Sequence, residues 1–210
     1  MAISAHWPLS PKSRLEICPL FLGKINAEAE FGSAILKLSY FQLEMVVQGF
    51  YIRGAISVGD AYVDDIAVFG NALIEAYKGE STFARDPRII LTKSAEKVVM
   101  NHLRYYGDPS YAPQTREILR DADGQCFLNY LDCLLVAEEE GGPDIDKLME
   151  HKVSVEKKLA ETRGNPPIWS KYAWVAGYHN YFCDLHNFYF NEDHKIDINL
   201  FRASPSLITD

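Results

Sequence analysis

Two neighbouring stretches decide the fold of this chain: RGAISVGD, Arg53–Asp60, and VFGNALIEAYK, Val68–Lys78. The first belongs to an alternating run, residues 50–58, that is rich in β-branched and aromatic side chains, and such a run predicts a strand. Gly54 lies inside this run, so we expect the strand to pass close to another backbone. The second stretch joins a short apolar strand to the start of a helix. Together the two stretches predict a strand, a hairpin and a helix in succession.

Glycines set the expected boundaries of this unit. Residues 59–65 predict a turn or a bulged hairpin, and residues 66–69 resume a short apolar strand. Gly70 is expected to open a helix that runs to about Lys78. Gly79 is expected to end it, because glycine is favoured just past a helix C-terminus.

The elements on either side follow the same reasoning. Apolar residues recur at helical spacing from about Glu28 to Gln48 and predict one buried stripe, which Gly49 terminates. Residues 88–91 predict a buried strand, followed by a helix that Thr92 or Ser94 caps. The order helix, strand, strand, helix, strand, helix indicates an α/β or α+β sandwich.

The two ends of the chain add a hairpin, two helices and a strand-like stub. The pair Asp123-Gly124 predicts a tight turn before an apolar hairpin strand at residues 126–131. Two helices are expected at about residues 144–162 and 167–188. Met1–Trp7 is apolar and strand-like, and we expect it to pair with another strand, in cis or from a second protomer.

Composition and charge narrow the classes of partner. Apolar residues make up 48% and charged residues 24% of the chain, which is ordinary globular usage. The formal charge is −8 and the basic residues are scattered, which argues against a nucleic-acid partner. The sequence has no apolar run near the ~20 residues that a membrane span needs, and its N-terminus has no signal pattern. We therefore expect neither a nucleic-acid nor a membrane partner.

The cysteines indicate a reducing compartment. None has CxxC spacing and all sit among apolar neighbours, which is typical of buried free thiols. We therefore expect a cytosolic location. The four residues are Cys18, Cys126, Cys133 and Cys183.

The second C-terminal helix carries a metal-like triad and many aromatic residues. His179, Cys183 and His186 share one helical face, but core or dimer packing is preferred over a metal site for them. A buried helix with an added dimer contact is the preferred explanation for the aromatic set. That set is Trp169, Tyr172, Trp174, Tyr178, Tyr181 and Phe182.

Two acidic clusters lie at predicted hairpins. A turn explains the first better than a calcium loop does, because further loop carboxylates are missing. The second lies near the expected site and within reach of a metal or substrate, although solvated turn acids are far commoner. The first cluster is Asp121, Asp123 and Asp132, and the second is Asp60, Asp64 and Asp65.

Arg53 has two open explanations. Its guanidinium is suited to bind phosphate through two parallel hydrogen bonds. It is equally suited to a structural ion pair with Glu44 or Asp65.

The opening stretches resemble the second half of a class III nucleotidyl cyclase domain. There, a strand of the form Arg-x-Gly-Ile-x-x-Gly leads through a hairpin to a helix that starts Gly-x-Ala-x-x-x-Ala. The run FGNALIEAY, Phe69–Tyr77, is similar to the divergent bacterial subgroup that includes Pycsar-type pyrimidine cyclases. Four further runs also resemble that subgroup: Arg120–Gly124, Phe127–Tyr130, Lys171–Trp174 and Tyr178–Asn180.

The resemblance implies an α+β fold: a ferredoxin-like α/β sandwich, the class III cyclase palm, with a C-terminal helical appendage. Residues 1–135 would form the cyclase homology domain and residues 136–210 the helical extension. The implied homodimer converts a pyrimidine nucleoside triphosphate, UTP before CTP, to a 3′,5′-cyclic nucleotide and pyrophosphate as an antiphage signal. A separate effector would be activated by the cyclic nucleotide without a stable complex. The alternative is a catalytically inactive dimerisation or nucleotide-binding module.

The resemblance also implies roles for individual residues. Ile74 stands where purine cyclases place a transition-state asparagine, and Lys78 stands where they place an arginine. Ala67 takes the position of the purine-selecting aspartate, and its lack of an acceptor fits a pyrimidine substrate. The implied catalytic residues are Lys78 and Arg53, and the implied substrate-binding residues are Ala67, Phe69, Gly70 and Ile74.

Family members hold two Mn²⁺ or Mg²⁺ ions with two aspartates. Aligned on Ala2–Ser4, both aspartates fall upstream of Met1. We therefore expect the chain to be truncated at its N-terminus and the metal ligands to lie upstream of it.

Overall fold

The computed structural model describes residues 2–6, 28–63, 67–140 and 142–198. Within these ranges the chain has a mixed α+β fold, which confirms the coarse fold class predicted from the sequence. The strands are β1 (Ala2–His6), β2 (Arg53–Ser57), β3 (Tyr62–Val63), β4 (Val68–Phe69), β5 (Ile89–Leu91), β6 (Ile118–Arg120) and β7 (Cys126–Leu128). The helices are α1 (Glu28–Val47), α2 (Asn71–Phe83), α3 (Lys93–Leu103), α4 (Gln114–Glu117), α5 (Ile145–Thr162) and α6 (Pro166–Leu185). Three 3₁₀ segments are Pro109–Tyr111, Tyr130–Glu140 and Glu192–His194.

Five strands form one mixed sheet in the order β1-β2-β5-β7-β6. Strand β2 is parallel to β5, and the other neighbouring pairs are antiparallel. In the β1–β2 pair, Ala2 lies opposite Ser57 and His6 lies opposite Arg53. The predicted pairing of the N-terminal stub is therefore confirmed for Ala2–His6, and it occurs in cis.

Helix α1 ends as its sequence predicts. Phe31, Ile35 and Leu38 form its buried stripe. At its end, the amide of Gly49 donates to the carbonyl of Val46, and the amide of Phe50 donates to that of Met45. This is the Schellman arrangement, and Gly49 has the positive φ of 83° that it requires.

Helix α2 is longer than predicted. It continues through Gly79 to Phe83, so the prediction that Gly79 ends it is wrong. Gly79 is buried where α2 crosses the sheet, and a Cβ there would lie 3.0 Å from both Ala55 Cβ and Thr92 Cγ2. Glycine is present because the helix lies against the sheet, and close packing rather than termination explains it.

The C-terminal helices share one hydrophobic core with the sheet. Leu148 and Val155 from α5 and Val175 from α6 are fully buried in the same cluster as Ile56 of β2 and Leu128 of β7. The side chain of Asp144 caps α5 by accepting from the amide of Lys147. None of the helices in the described ranges combines the length and apolar character that a membrane-crossing segment needs.

Candidate functional site

A hairpin and the start of α2 hold most of the residues to which the resemblance assigns substrate binding. Strands β3 and β4 pair antiparallel, with Tyr62 opposite Phe69. The two rings stack with centroids 4.7 Å apart, and each side chain is more than half exposed. Gly70 follows with a φ of 147°, and a Cβ there would lie 2.5 Å from the carbonyl oxygen of Asp60. Only glycine allows α2 to begin this close to the preceding turn.

Some side chains of the β3–β4 hairpin and α2 pack against the sheet, and others are exposed to solvent. Ala72 and Ala76 are buried, and α2 packs on β1, β2 and β5. Ile74 and Lys78, one turn apart on the helix, are exposed, as is Ala67 before β4. The structure therefore brings Ala67, Phe69 and Gly70 together at the junction of hairpin and helix. Ile74 and Lys78 follow along the solvent side of α2.

Lys78 lines a cleft of about 370 Å³ between α2, the start of α3 and the β6–β7 hairpin. Lys93 and Arg120 bring two more positive charges to this cleft, and Glu75 and Glu96 bring two negative ones. Its charge is therefore mixed, with one positive group in excess among these five side chains.

Glu75 connects α2 to the start of α3. Its Oε1 accepts from the amide of Ser94 at 3.1 Å. Burial opposes ionisation of this carboxyl group, but hydrogen bonds from Ser94 and Thr92 outweigh that effect and lower its pKa. Thr92 is the N-cap residue of α3, as one of the two alternatives predicted, although its side chain makes no capping hydrogen bond.

Arg53 lies outside this cleft. Its Nε is 2.7 Å from Oε1 of Glu80, which is only 2% exposed, and its Nη1 donates to the carbonyl of Ala84. The distance between Nε and Oε1 is that of an ion pair. The N–H bond of Arg53 is poorly aligned with Oε1, so this contact is not a hydrogen bond. Arg53 lines a second cavity, so the structure does not place it in one cavity with Lys78.

Of the two partners predicted for an Arg53 ion pair, Glu44 is therefore wrong, and pairing with Asp65 stays a prediction. Glu44 pairs with Lys147 at 2.7 Å, and Asp65 lies outside the described residues. Glu80 was missed because α2 was expected to stop one residue before it. Asp64 also lies outside the described residues, and Asp60 is exposed beside the hairpin.

The Asp123-Gly124 turn is confirmed, and its acids hold a buried arginine. Arg88 is 1% exposed and forms ion pairs with both Asp121 and Asp123. The indole Nε1 of Trp174 donates to Asp121 Oδ2 at 2.7 Å. Arg88 was predicted only as part of a strand. The sequence feature that could have predicted these ion pairs is an arginine at the start of a buried strand, because a buried cation needs acidic partners.

Other residues of the predicted acidic and aromatic clusters have structural contacts. Asp132 pairs with Arg116 at 3.1 Å and lies apart from the hairpin acids. Tyr178 is buried, and its hydroxyl donates to Asn129 Oδ1 and accepts from the amide of Leu131. The segments around residues 127–130 and 171–180 thus meet through packing and hydrogen bonds. Tyr181 on the same helix is half exposed, so α6 is buried along one side only.

Core packing is confirmed for His179 and Cys183, which are both fully buried. Burial raises the pKa of the Cys183 thiol to about 11. Cys126, Cys133 and Cys183 are all buried free thiols, as predicted, and Cys18 lies outside the described residues.

The described residues do not supply a site for the Mn²⁺ or Mg²⁺ ions that the resemblance implies. Among them, no group of three or more His, Cys, Asp or Glu side chains is arranged to hold a metal ion. Hard divalent cations require several oxygen ligands at short distance.

No family model, curated protein or solved structure matches this chain.

Proposed function

We propose that this chain is a nucleotidyl cyclase of the class III type, in the Pycsar-like pyrimidine branch. It converts a pyrimidine nucleoside triphosphate, UTP before CTP, to a 3′,5′-cyclic nucleotide and pyrophosphate as an antiphage signal. The observation that carries the proposal is the succession of β2, the β3–β4 hairpin and α2, with β1 beside β2 in one sheet. This succession supports a ferredoxin-like cyclase palm. In that palm, Phe69, Gly70, Ile74 and Lys78 face the nucleotide.

The positions of the exposed side chains fit this chemistry. Lys78 is exposed and lines one cleft with Lys93 and Arg120, and these three cations outnumber the two carboxylates there, Glu75 and Glu96, which suits the charge of a triphosphate. Lysine binds phosphate as a point charge and lacks the planar fork of arginine. Ala67 and Ile74 offer no acceptor for an adenine amino group. The stacked Tyr62 and Phe69 rings offer an aromatic surface for a base.

The proposed enzyme acts as a homodimer in the cytosol. Exposed apolar side chains on the hairpin and α2, namely Tyr62, Phe69, Ile74 and Tyr77, support a surface for a second copy. The resemblance implies Mn²⁺ or Mg²⁺, which would supply Lewis-acid chemistry at the triphosphate. The described residues do not fit those ions, so the roles proposed here concern the chain's own side chains. A separate effector, without a stable complex, responds to the cyclic product.

Pyrophosphate release tests the proposal. Purified protein is incubated with Mn²⁺ and UTP, CTP, ATP or GTP, and we expect turnover of UTP and then CTP. Lys78→Gln should lower the rate about a hundredfold, as loss of one stabilising donor does in other enzymes. Lys97→Gln is the matched control, since Lys97 is an exposed helical lysine outside the cleft. No release from either pyrimidine triphosphate would refute cyclase activity of this chain and favour the second candidate below.

A second candidate is an inactive cyclase-like dimerisation or nucleotide-binding module. The absence of a metal-binding group among the described residues favours it. Such a module binds UTP without releasing pyrophosphate. Its melting temperature rises with UTP concentration, because a ligand that binds only the folded state stabilises it.

A further inference from the structure

A second cavity lies at the opposite end of β2 from the hairpin. It has a volume of about 350 Å³ and is lined by residues from β2, from the loop after α2 and from α6. Three of its lining side chains are cationic: Arg53, Arg85 and Lys171. No carboxylate is among the described residues that line it. Three cations in the lining of one cavity are unexpected in a chain with a formal charge of −8.

Two of these cations form ion pairs with buried acids that are not among the lining residues, although the Arg85 side chain itself is 83% exposed. Glu80 holds Nε of Arg53, and Asp86 accepts from Nε and Nη2 of Arg85 at 3.2 and 3.0 Å. Asp86 is 3% exposed and Glu80 is 2% exposed, so both carboxylates are shielded from solvent. Among the contacts of the described residues, Nη1 of Arg53 donates to the carbonyl of Ala84, so Nη2 of Arg53 and Nη1 of Arg85 are left to bind a ligand. A fixed arginine loses less side-chain entropy on binding than a mobile one.

Lys171 gives the cavity its excess positive charge. Its ammonium takes part in none of the ion pairs among the described residues. Other charges nearby cancel, because Lys158 pairs with Glu161 at 2.9 Å beside the lining residue Thr162. With Arg53 and Arg85 each offset by one acid, Lys171 leaves a local charge of +1.

The other walls are aromatic and apolar. Tyr51 and Tyr172 meet edge to face, with ring centroids 4.8 Å apart. The hydroxyl of Tyr51 forms a hydrogen bond with Ser154 Oγ at 3.0 Å, and Ser154 is not among the residues that line the cavity. Ile168 adds an apolar side chain that is 42% exposed. A cavity of this size with a few charged groups and mostly apolar walls is typical of a small-molecule site.

We infer that this cavity binds a small organic phosphate that carries a flat apolar ring. Arginine and lysine groups from three elements surround a tetrahedral dianion, whereas a planar carboxylate needs only one such fork. The Tyr51–Tyr172 pair and Ile168 contact the ring. Arg53, to which the resemblance assigns a catalytic role, lines this cavity, but Lys78 and the hairpin do not. The test below does not vary Arg53, so its outcome is separate from that of the cyclase assay.

The test is calorimetric titration of the full chain with phenyl phosphate, inorganic phosphate and benzoate. Phenyl phosphate is expected to bind tightest, because it alone combines the dianion with the ring. Lys171→Gln should weaken it by at least about tenfold, the loss expected for one charge-assisted hydrogen bond. Ile168→Ala should weaken phenyl phosphate while leaving inorganic phosphate unchanged. Lys97→Gln, the control on α3, should bind as the wild type does.

Three results would overturn the inference. Equal binding of phenyl phosphate by wild type and Lys171→Gln would exclude this cavity as the site. Loss of binding in Lys78→Gln, with Lys171→Gln unaffected, would place the phosphate in the cleft beside α2. Tighter binding of benzoate than of phenyl phosphate would reject the phosphate specificity. Melting temperatures of all variants show that each is folded, so weaker binding is not mistaken for unfolding.

Discussion

Nδ1 of His151 lies 3.0 Å from Nδ1 of His179, and both rings are fully buried and stacked nearly parallel. The hydrogen-bond partners at Nε2 of each ring fix the tautomers of both histidines. Nε2 of His179 faces the carbonyl of His194 and must donate, so its Nδ1 accepts from His151. Nε2 of His151 is then an acceptor, and the hydroxyl of Tyr130 donates to it at 2.7 Å. Every ring nitrogen is satisfied only while both histidines are neutral.

The stability of the protein should therefore fall in mild acid. Burial lowers the pKa of His179 from 6.5 to about 4, and burial together with the neighbouring ring of His179 lowers the pKa of His151 well below its usual value. In the unfolded chain both histidines become protonated below about pH 6.5, whereas in the folded chain they stay neutral to a lower pH. Stability is fully present above that pH and is lost as pH falls toward 4, by about 3 kcal/mol for His179. Urea unfolding at pH 7 and pH 5 measures this, and equal free energies of unfolding would contradict it.

Removing the Tyr130 hydroxyl should destabilise the same chain of hydrogen bonds. Tyr130→Phe leaves Nε2 of His151 buried without a donor, which costs about 1–3 kcal/mol. Tyr111→Phe is the matched control, because Tyr111 is 78% exposed. Chemical denaturation at pH 7 compares the two variants. Equal loss in both would show that the buried donor has no special role.

Two helical glycines should respond in opposite directions to alanine. At Gly79 a Cβ meets Ala55 and Thr92 at 3.0 Å, so Gly79→Ala is expected to destabilise the protein by about 1–3 kcal/mol through overpacking. At Gly177, which is exposed in α6, no atom lies within 4 Å of a Cβ. Gly177→Ala should therefore stabilise by about 0.5–1 kcal/mol, the helix propensity gained. Melting temperatures test the sign, and stabilisation at both positions would refute the close packing of α2.

The two acids that hold Arg88 should differ in importance. Asp121 is the less exposed and also accepts from Trp174, whereas Asp123 is half exposed. We expect Asp121→Ala to cost about 3 kcal/mol, because it leaves a buried charge poorly compensated. Asp123→Ala should cost about 1 kcal/mol, since a partly exposed pair is screened by solvent. Urea denaturation of both variants measures their free energies of unfolding. A larger loss of stability for Asp123→Ala than for Asp121→Ala would contradict the prediction.

Local sequence chemistry was enough to predict much of the fold. The C-terminus of α1 follows from Gly49, whose positive φ any other residue adopts with strain. The turn at Asp123-Gly124 and the start of α2 at Gly70 follow from the same property of glycine. The strand Arg53–Ser57 follows from its alternating, β-branched pattern. Each of these signals lies within a few residues of the structure that it predicts.

The sequence by itself determined the order of elements from α1 to α3, the two C-terminal helices and the turns at Gly49 and Asp123-Gly124, because backbone preference and hydrophobic period act over one or two turns of chain. It predicted neither α4 nor β6, and it extended the hairpin strand to residue 131 although β7 ends at Leu128. Only the tertiary structure decided which side chains meet. Glu80 reaches Arg53 because α2 folds back along β2, and Trp174 reaches Asp121 across 53 residues of sequence. The His151–His179 pair depends on how α5 lies against α6. Such contacts are set by packing in three dimensions, and no local pattern encodes them.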